Sequence, residues 1–274
     1  KYDLNTPLLQ SLWCEKASMS HWLEWADNSG LLNPVFDIEN NPKVPAYLIY
    51  WLSSSVQTTP TLLLKLLTKH NFKAQKELWR QIDHKIQYNR KQLQGDDIEQ
   101  ISVMALAYLD IDTVHSYHRF KNAIESEQLL YAFSILNRSW VLNLGSSKDY
   151  SRRNIDFFEP NNSGILIEYK DHLPILIKHN CFKLLTSSLS QIQKYYDQIK
   201  LHDGYDFLNN HRKAIEDHKQ NQFPNCGDTL IFTLRESLLL LVKSNRELAL
   251  NYIELFLDSG LTLLERIGVY VLSR

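Results

Sequence analysis

The sequence predicts an all-α fold from its composition and from the spacing of its apolar residues. Only eight glycines and eight prolines occur among 274 residues, and 44% of the residues are hydrophobic, so the chain can form a core with few turn-forming residues. Apolar residues recur every three or four positions, which is the period of one face of an α-helix. Short polar turns separate these segments, as in an α-solenoid of antiparallel, HEAT-like helix pairs. A compact helical domain is the alternative.

The individual helices follow from this period and from the residues that start or stop them. The first helix carries Trp22 and stops near Gly30, because glycine often ends a helix. Thr59 is a capping residue and Pro60 fits the first turn, while Gly95 precedes another helix. Further helices are predicted at residues 46–57, 61–69, 72–87, 126–140, 172–180, 182–199, 228–243, 246–258 and 261–274. Residues 165–169 are either a short strand or the first turn of the next helix.

Large apolar side chains indicate where the core lies. The run at residues 238–242 is predicted to be a buried helix face. Five tryptophans lie on apolar stripes and are expected in the core: Trp13, Trp22, Trp25, Trp51 and Trp79.

Turn-forming residues at 145–164 predict the boundary between two helical subdomains. We therefore expect N-terminal helical repeats at residues 1–144, an irregular connection at 145–164, and C-terminal repeats at 165–274.

The last predicted helix has an apolar stripe that must be covered. Leu264, Ile267, Val271 and Leu272 share this stripe, and no Gly, Asn or Pro stop follows it. The first residue is also not Met, so we expect an internal piece of a larger protein, in which another helix of the solenoid covers the stripe. Cover from within the 274 residues would instead favour a compact domain.

Composition also disfavours several classes of function. The formal net charge is -1, so no overall basic field is present to attract nucleic acid. Three distant cysteines without a C-x-x-C pair predict a reducing, cytoplasmic location, and no apolar run approaches the ~20 residues of a membrane span. Phosphate-binding glycine motifs and the G-x-S-x-G motif of serine hydrolases are missing from the sequence. We predict no catalytic residue, no cofactor and no metal.

One group of residues keeps a helical metal-dependent enzyme open as an alternative. His115 and His118 are three positions apart and could share a helix face, with Asp110 and Asp112 nearby. Ordinary polar residues at a helix junction are the preferred interpretation, since structural zinc usually has four ligands.

A second polar cluster is formed by Arg212, Glu216, Asp217 and His218. Their spacing lets the guanidinium reach a carboxylate. We interpret the cluster as a charged helix end that fixes a turn between helices, and a general acid-base site is the alternative.

A loop in the predicted connection is the candidate for docking a partner. It contains Arg152, Arg153, Phe157 and Phe158, and guanidinium and aromatic groups suit both protein and nucleic-acid contacts. A nucleic-acid-binding solenoid therefore remains an alternative. The basic residues Lys65, Lys69, His70 and Lys73 are expected on the solvent face of their helices.

Two stretches and an opening run of residues carry a family resemblance. The stretches are residues 214–221, AIEDHKQN, and 265–272, ERIGVYVL, and the opening run contains Trp22, Trp25, Gly30, Pro34, Pro45, Tyr47, Leu48 and Pro60. Together they resemble the helical-repeat regions that follow the nucleotidase module in bacterial STAND-class NTPases and related antiviral defence proteins. Residues 95–200 show no matching landmark, and Gly268 stands where such helices usually carry a larger residue.

The resemblance implies a solenoid that senses or docks a partner, while nucleotide hydrolysis and effector chemistry belong to other segments of the protein. It transfers no binding residue to this chain. We therefore expect a non-enzymatic scaffold or sensor region that binds a protein partner, such as a phage trigger, and the remaining domains of the same protein.

Overall fold

The computed structural model describes residues 20–39, 43–90, 92–109, 117–140, 142–144, 155–157, 165–202, 206, 208–209, 215–216 and 226–274. Within these residues the fold is all-α, as predicted, with thirteen helices and one short pair of strands. The chain divides into two compact units: unit 1 contains Lys1–Val114 and Glu125–Tyr131, and unit 2 contains His115–Ile124 and Ala132–Arg274. The boundary predicted at residues 145–164 lies mostly outside the described residues and stays a prediction, as does the solenoid arrangement.

The first eight helices run through unit 1 and into the start of unit 2. They are α1 (Ser20–Asn28), α2 (Asn33–Phe36), α3 (Ala46–Thr58), α4 (Pro60–Lys69), α5 (Lys76–Tyr88), α6 (Asp96–Tyr108), α7 (Tyr117–Glu125) and α8 (Leu129–Ser139). Of these, α2 and α7 were not predicted. The helix predicted at 126–140 starts later, at Leu129, after Glu127 with a φ of 58°.

Two tryptophans form the centre of the unit 1 core. Trp51 on α3 and Trp79 on α5 are fully buried, as predicted, and the Trp79 ring stacks on Tyr108 with ring centres 4.9 Å apart. Helix α3 packs against α4 and α5, and α6 packs against α4 and α5. The prediction for Trp25 was wrong, because its side chain is 53% exposed. Its ring and the ring of the half-buried Trp22 form a T-shaped contact with centres 5.5 Å apart. Trp13 lies outside the described residues.

The predicted stop of the first helix is confirmed at Gly30. Its φ is +75°, a left-handed conformation that glycine adopts without steric cost. The Leu31 amide donates to the Ala26 carbonyl, and the Gly30 amide donates to the Asp27 carbonyl. This pair of bonds is the Schellman motif, which satisfies the carbonyl groups at the end of the helix.

Two details of the predicted helix starts were wrong. Helix α4 begins at Pro60, but the Thr59 side chain does not cap it, and its buried Oγ1 has no hydrogen-bond partner among the described residues. The helix predicted from residue 72 begins at Lys76 instead. Asn71 and Phe72 have φ values of 51° and 58°, which no right-handed helix can contain.

The described rest of unit 2 consists of five helices and the strand pair. These elements are β1 (Leu142–Leu144), β2 (Ile155–Phe157), α9 (Ile165–His179), α10 (Cys181–His202), α11 (Cys226–Ser244), α12 (Arg246–Leu257) and α13 (Thr262–Leu272). Strands β1 and β2 are antiparallel, with Leu142 opposite Phe157, and were not predicted. Residues 165–169 form the first turn of α9.

Helix α11 lies at the centre of unit 2. Between Asp228 and Leu238 every residue except Glu236 is buried, and α9, α10, α12 and α13 all pack against this helix. The predicted buried face at 238–242 is confirmed for Leu238 and Leu241, and the other three positions are half-buried. A helix that is apolar on most sides needs cover from several neighbours.

The expectation that an additional helix covers the last apolar stripe was wrong. Leu264, Ile267 and Val271 are buried within the described chain, because α13 packs against both α12 and α11. Leu272, by contrast, is exposed. Gly268 allows the close approach of α12, since a Cβ at this position would lie 3.3 Å from Leu257 Cδ2 and 3.5 Å from Phe256 Cβ.

We expect Gly268→Leu to lower the free energy of unfolding by about 1–3 kcal/mol, because the larger side chain has no room between α12 and α13. In Gly268→Ala, the gain in helix propensity of about 1 kcal/mol should offset the tight contact, since the half-exposed Leu257 can shift. Urea unfolding of both variants measures this difference. The control is Val269→Leu at an exposed position, and equal stability of Gly268→Leu and the control would contradict the close packing.

Candidate functional site

Most residues of the predicted docking loop lie outside the described part of the chain. Arg152, Arg153 and Phe158 lie outside the described residues. Phe157 is the last residue of β2, and only its backbone is described. The docking role of this loop stays a prediction.

The predicted metal group likewise falls largely outside the described chain. Asp110, Asp112 and His115 are not described, and His118 lies on α7 with only its backbone described. Among the described residues, no group of three or more His, Cys, Asp or Glu side chains could hold a metal ion.

Of the predicted polar cluster, only Glu216 is described, whereas Arg212, Asp217 and His218 lie outside. Glu216 Oε2 accepts a hydrogen bond from Arg274 Nη2 at 3.2 Å, and both side chains are exposed. The Arg274 guanidinium also lies over the Tyr270 ring. The carboxylate therefore pairs with an arginine 58 positions further along the chain, a partner that short-range spacing could not reveal.

A buried arginine, Arg235, binds Ile215, the residue before Glu216. Arg235 on α11 donates from Nη1 to the Ile215 carbonyl at 2.6 Å and from Nε to Glu236 Oε1 at 2.7 Å. Its side chain is almost fully buried between the rings of Phe232 and Tyr270. Charge-assisted bonds of this kind are stronger than neutral ones.

Further polar contacts connect Asp206, Leu208 and Asn209 to α10 and α13. The Tyr196 hydroxyl donates to Asp206, and the Tyr195 hydroxyl accepts from the Leu208 amide. Burial and the nearby Asp206 carboxylate raise the pKa of Tyr196 well above its ordinary value. Arg266 donates to the Asn209 side chain at 2.8 Å. These contacts connect Asp206, Leu208 and Asn209 to α10 and α13, whereas the interpretation of the predicted polar cluster stays a prediction.

Unit 1 contains a charged cavity that the sequence did not indicate. Its volume is about 290 Å³, and its walls come from α1 and α4. The lining residues are Leu23, Glu24, Asp27, Asn28, Leu62, Lys65, Leu66 and Lys69. Lys65 and Lys69 are exposed, as expected, but both pair with carboxylates of α1.

Asp27 is the central charged group of this cavity. Its side chain is only 9% exposed, with Oδ2 2.5 Å from Lys69 Nζ and Oδ1 2.8 Å from His70 Nε2. Burial opposes the charge, but the hydrogen bonds from Lys69 and His70 outweigh it and hold the pKa of Asp27 below its ordinary 3.8. The His70 ring also stacks on Phe36 with ring centres 4.0 Å apart. Because Lys69 and His70 occupy both oxygens of Asp27, we interpret the cluster as a joint between α1, α2 and α4.

The outer surface of α12 and α13 carries a strip of exposed apolar side chains, which we call the outer strip. Its members and their exposed fractions are Leu250 41%, Leu257 37%, Val269 59% and Leu272 55%. Leu257 borders the Gly268 position of α13, and Leu272 lies one turn beyond Gly268 on the same side of that helix. Leu250 lies two turns before Leu257 on α12.

Because α12 and α13 are consecutive packed helices, these side chains lie on the outward sides of one helix pair. An exposed apolar cluster of this kind is more informative than a single exposed leucine, since clusters mark interaction surfaces. Leu255 on α12 is also exposed but lies on another side of the helix, toward Tyr252. The outer strip is the candidate functional site.

Comparisons with protein-family models, with curated proteins and with solved structures found no match to this chain. In the part of the chain that the structure describes, no helix has both the length and the apolar composition needed to cross a bilayer.

The Asp27 joint predicts a pH-dependent stability. We expect Asp27→Asn to lower the free energy of unfolding by about 1–2 kcal/mol at neutral pH, because the charge-assisted bonds to Lys69 and His70 are lost. The folded-state pKa is below 3.8, so the contribution is present above that pH and disappears as the pH falls through the lowered value. Urea unfolding at about pH 7 and about pH 2 measures the difference. The control is Glu24→Gln in the exposed pair with Lys65, and an Asp27→Asn loss that persists at low pH would contradict the assignment.

The Arg235 anchor is tested by a pair of arginine substitutions. Arg235→Met should lower the free energy of unfolding by about 2–3 kcal/mol, because it removes the buried charge-assisted bond to the Ile215 carbonyl and the pair with Glu236. Arg274→Met breaks the exposed pair with Glu216 and the contact with the Tyr270 ring and should cost less than about 1 kcal/mol. Thermal unfolding compares the two variants, and equal losses would show that Arg235 is not the main anchor.

Proposed function

We propose that this chain is a non-enzymatic helical-repeat scaffold or sensor region that binds a protein partner. The outer strip is the observation that carries the proposal. Four apolar side chains on two adjacent, packed helices are exposed to solvent. Burying them against a partner is favourable by roughly 25 cal/mol for each Å² of apolar surface.

The packing pattern of unit 2 supports a repeat-like arrangement. The main contacts among α9 to α13 join helices that are one or two positions apart in sequence order. In a solenoid each repeat contacts only its neighbours, so stacked helix pairs produce this pattern. The cover of Leu264, Ile267 and Val271 by α11 and α12 fits the compact-domain alternative as well.

The wider biological setting rests on the resemblance described above. We propose that the region belongs to a larger bacterial defence protein of the STAND class and that its partner is a trigger such as a phage protein. The stretch ERIGVYVL, residues 265–272, which carries part of the resemblance, lies on α13. The buried side of this helix packs on α11 and α12. Their role is therefore to fix the helix that presents Val269 and Leu272.

Site-specific photo-cross-linking in the full-length protein tests the proposed function. A photoreactive phenylalanine analogue at position 257 or 272 should cross-link to one identified protein, whereas the same group at position 255 should not. Leu250→Asp should abolish the cross-link from position 257, because a buried unpaired carboxylate is costly. Cross-linking from position 255 that equals that from 257, or its absence from both strip positions, would contradict the proposal.

A further inference from the structure

The outer strip is accompanied by carboxylates. Glu247, Glu254 and Asp258 are exposed along α12, and Glu265 is half-buried on α13. Glu254 lies between Leu250 and Leu257 on the same side of α12, because the three residues are spaced four and three positions apart. Glu265 lies one turn before Val269 on α13. Each helix therefore presents apolar and acidic groups side by side.

The positive charges of this helix pair do not balance the carboxylates. Residues 246–274 contain three basic residues: Arg246 at the start of α12, Arg266, which is half-buried and donates to Asn209, and Arg274, which pairs with Glu216. None of the four carboxylates forms an ion pair with another residue in the described ranges. Among the described residues, the surface of α12 and α13 around the outer strip is thus acidic.

Helix stability explains two of these carboxylates but not the other two. Glu247 and Glu265 lie in the first turns of their helices, where the helix dipole favours a negative charge. Glu254 and Asp258 lie at the carboxyl end of α12, where the dipole disfavours a negative charge, and no basic residue occupies that last turn. Their position opposes local stability, and no cation among the described residues pairs with them, so a cation from a partner would compensate this charge.

We propose that the outer strip and its carboxylates form a docking site for a basic amphipathic helix of a protein partner. This inference rests on the proposed function and specifies the chemistry of the partner. A third helix can pack along two neighbouring helices such as α12 and α13. Its apolar residues at positions i, i+3 or i+4, and i+7 would cover Leu250, Leu257 and Leu272. Lysine or arginine residues beside those positions would pair with Glu254, Asp258 and Glu265, giving charge complementarity and faster association.

Two synthetic helical peptides of about 18 residues, or roughly five turns, provide the test. Both carry the same leucine stripe, and the flanking residues are lysine in one and glutamate in the other. Binding to the 274-residue chain is measured by fluorescence anisotropy. The lysine peptide should bind about tenfold more tightly at low salt, and the difference should shrink as salt screens the exposed pairs.

Charge reversal provides the decisive comparison. Glu254→Lys combined with Asp258→Lys should reverse the preference, so that the glutamate peptide binds more tightly. The matched control is Asp171→Lys combined with Asp197→Lys, which changes the net charge equally at exposed positions on two other helices of unit 2, α9 and α10. Circular dichroism confirms that both variants keep their helices.

The outcomes separate this inference from the proposed function. Equal binding of the two peptides, or a preference that the control reverses as effectively, overturns the basic-helix inference even if the cross-link from position 257 persists. Loss of that cross-link together with unselective peptide binding overturns both proposals. Reversal by the Glu254 and Asp258 pair alone supports the inference.

Discussion

The burial of α11 on nearly every side is the constraint on which unit 2 depends. An amphipathic surface helix needs cover on one face, but between Asp228 and Leu238 every residue of this helix except Glu236 is buried. Four neighbouring helices supply the cover. Polar residues within this core bond locally: Thr233 donates to the Thr229 carbonyl, and Thr229 Oγ1 accepts from the Trp140 indole. Once α11 is enclosed, the inner sides of α12 and α13 are fixed, and their outer sides are what a partner can reach.

Helix type and approximate extent could be predicted because they depend on residues a few positions apart. The 3.6-residue period located most helices, and Gly30 and Gly95 marked a stop and a start through backbone preferences that are local. Breaks that depend on one residue in an unusual conformation were missed. Phe72 and Glu127 both have positive φ, which their side chains do not indicate. The two three-residue strands were also too short to give an alternating pattern.

The site residues were harder to predict because their partners are distant in sequence. Asp27 meets Lys69 and His70 more than 40 positions later, and Glu216 meets Arg274 after 58. The apolar period of the last helix correctly indicated a buried side at Ile267, but a period does not identify the covering element, and that element was α11 with α12. The sequence also did not indicate that Leu250 and Leu257 are exposed, since leucine is most often a core residue.

The sequence-local packing of unit 2 has a consequence for how the chain folds during synthesis. Contacts between helices one or two places apart give a low contact order, which favours rapid folding. As the chain leaves the ribosome, α9 and α10 can associate before α11 is complete, and α11 must wait only for the roughly 30 residues that contain α12 and α13. The apolar surface of α11 is therefore open to misassociation for only a short interval. The most buried helix of the unit is protected by the order in which its neighbours are made.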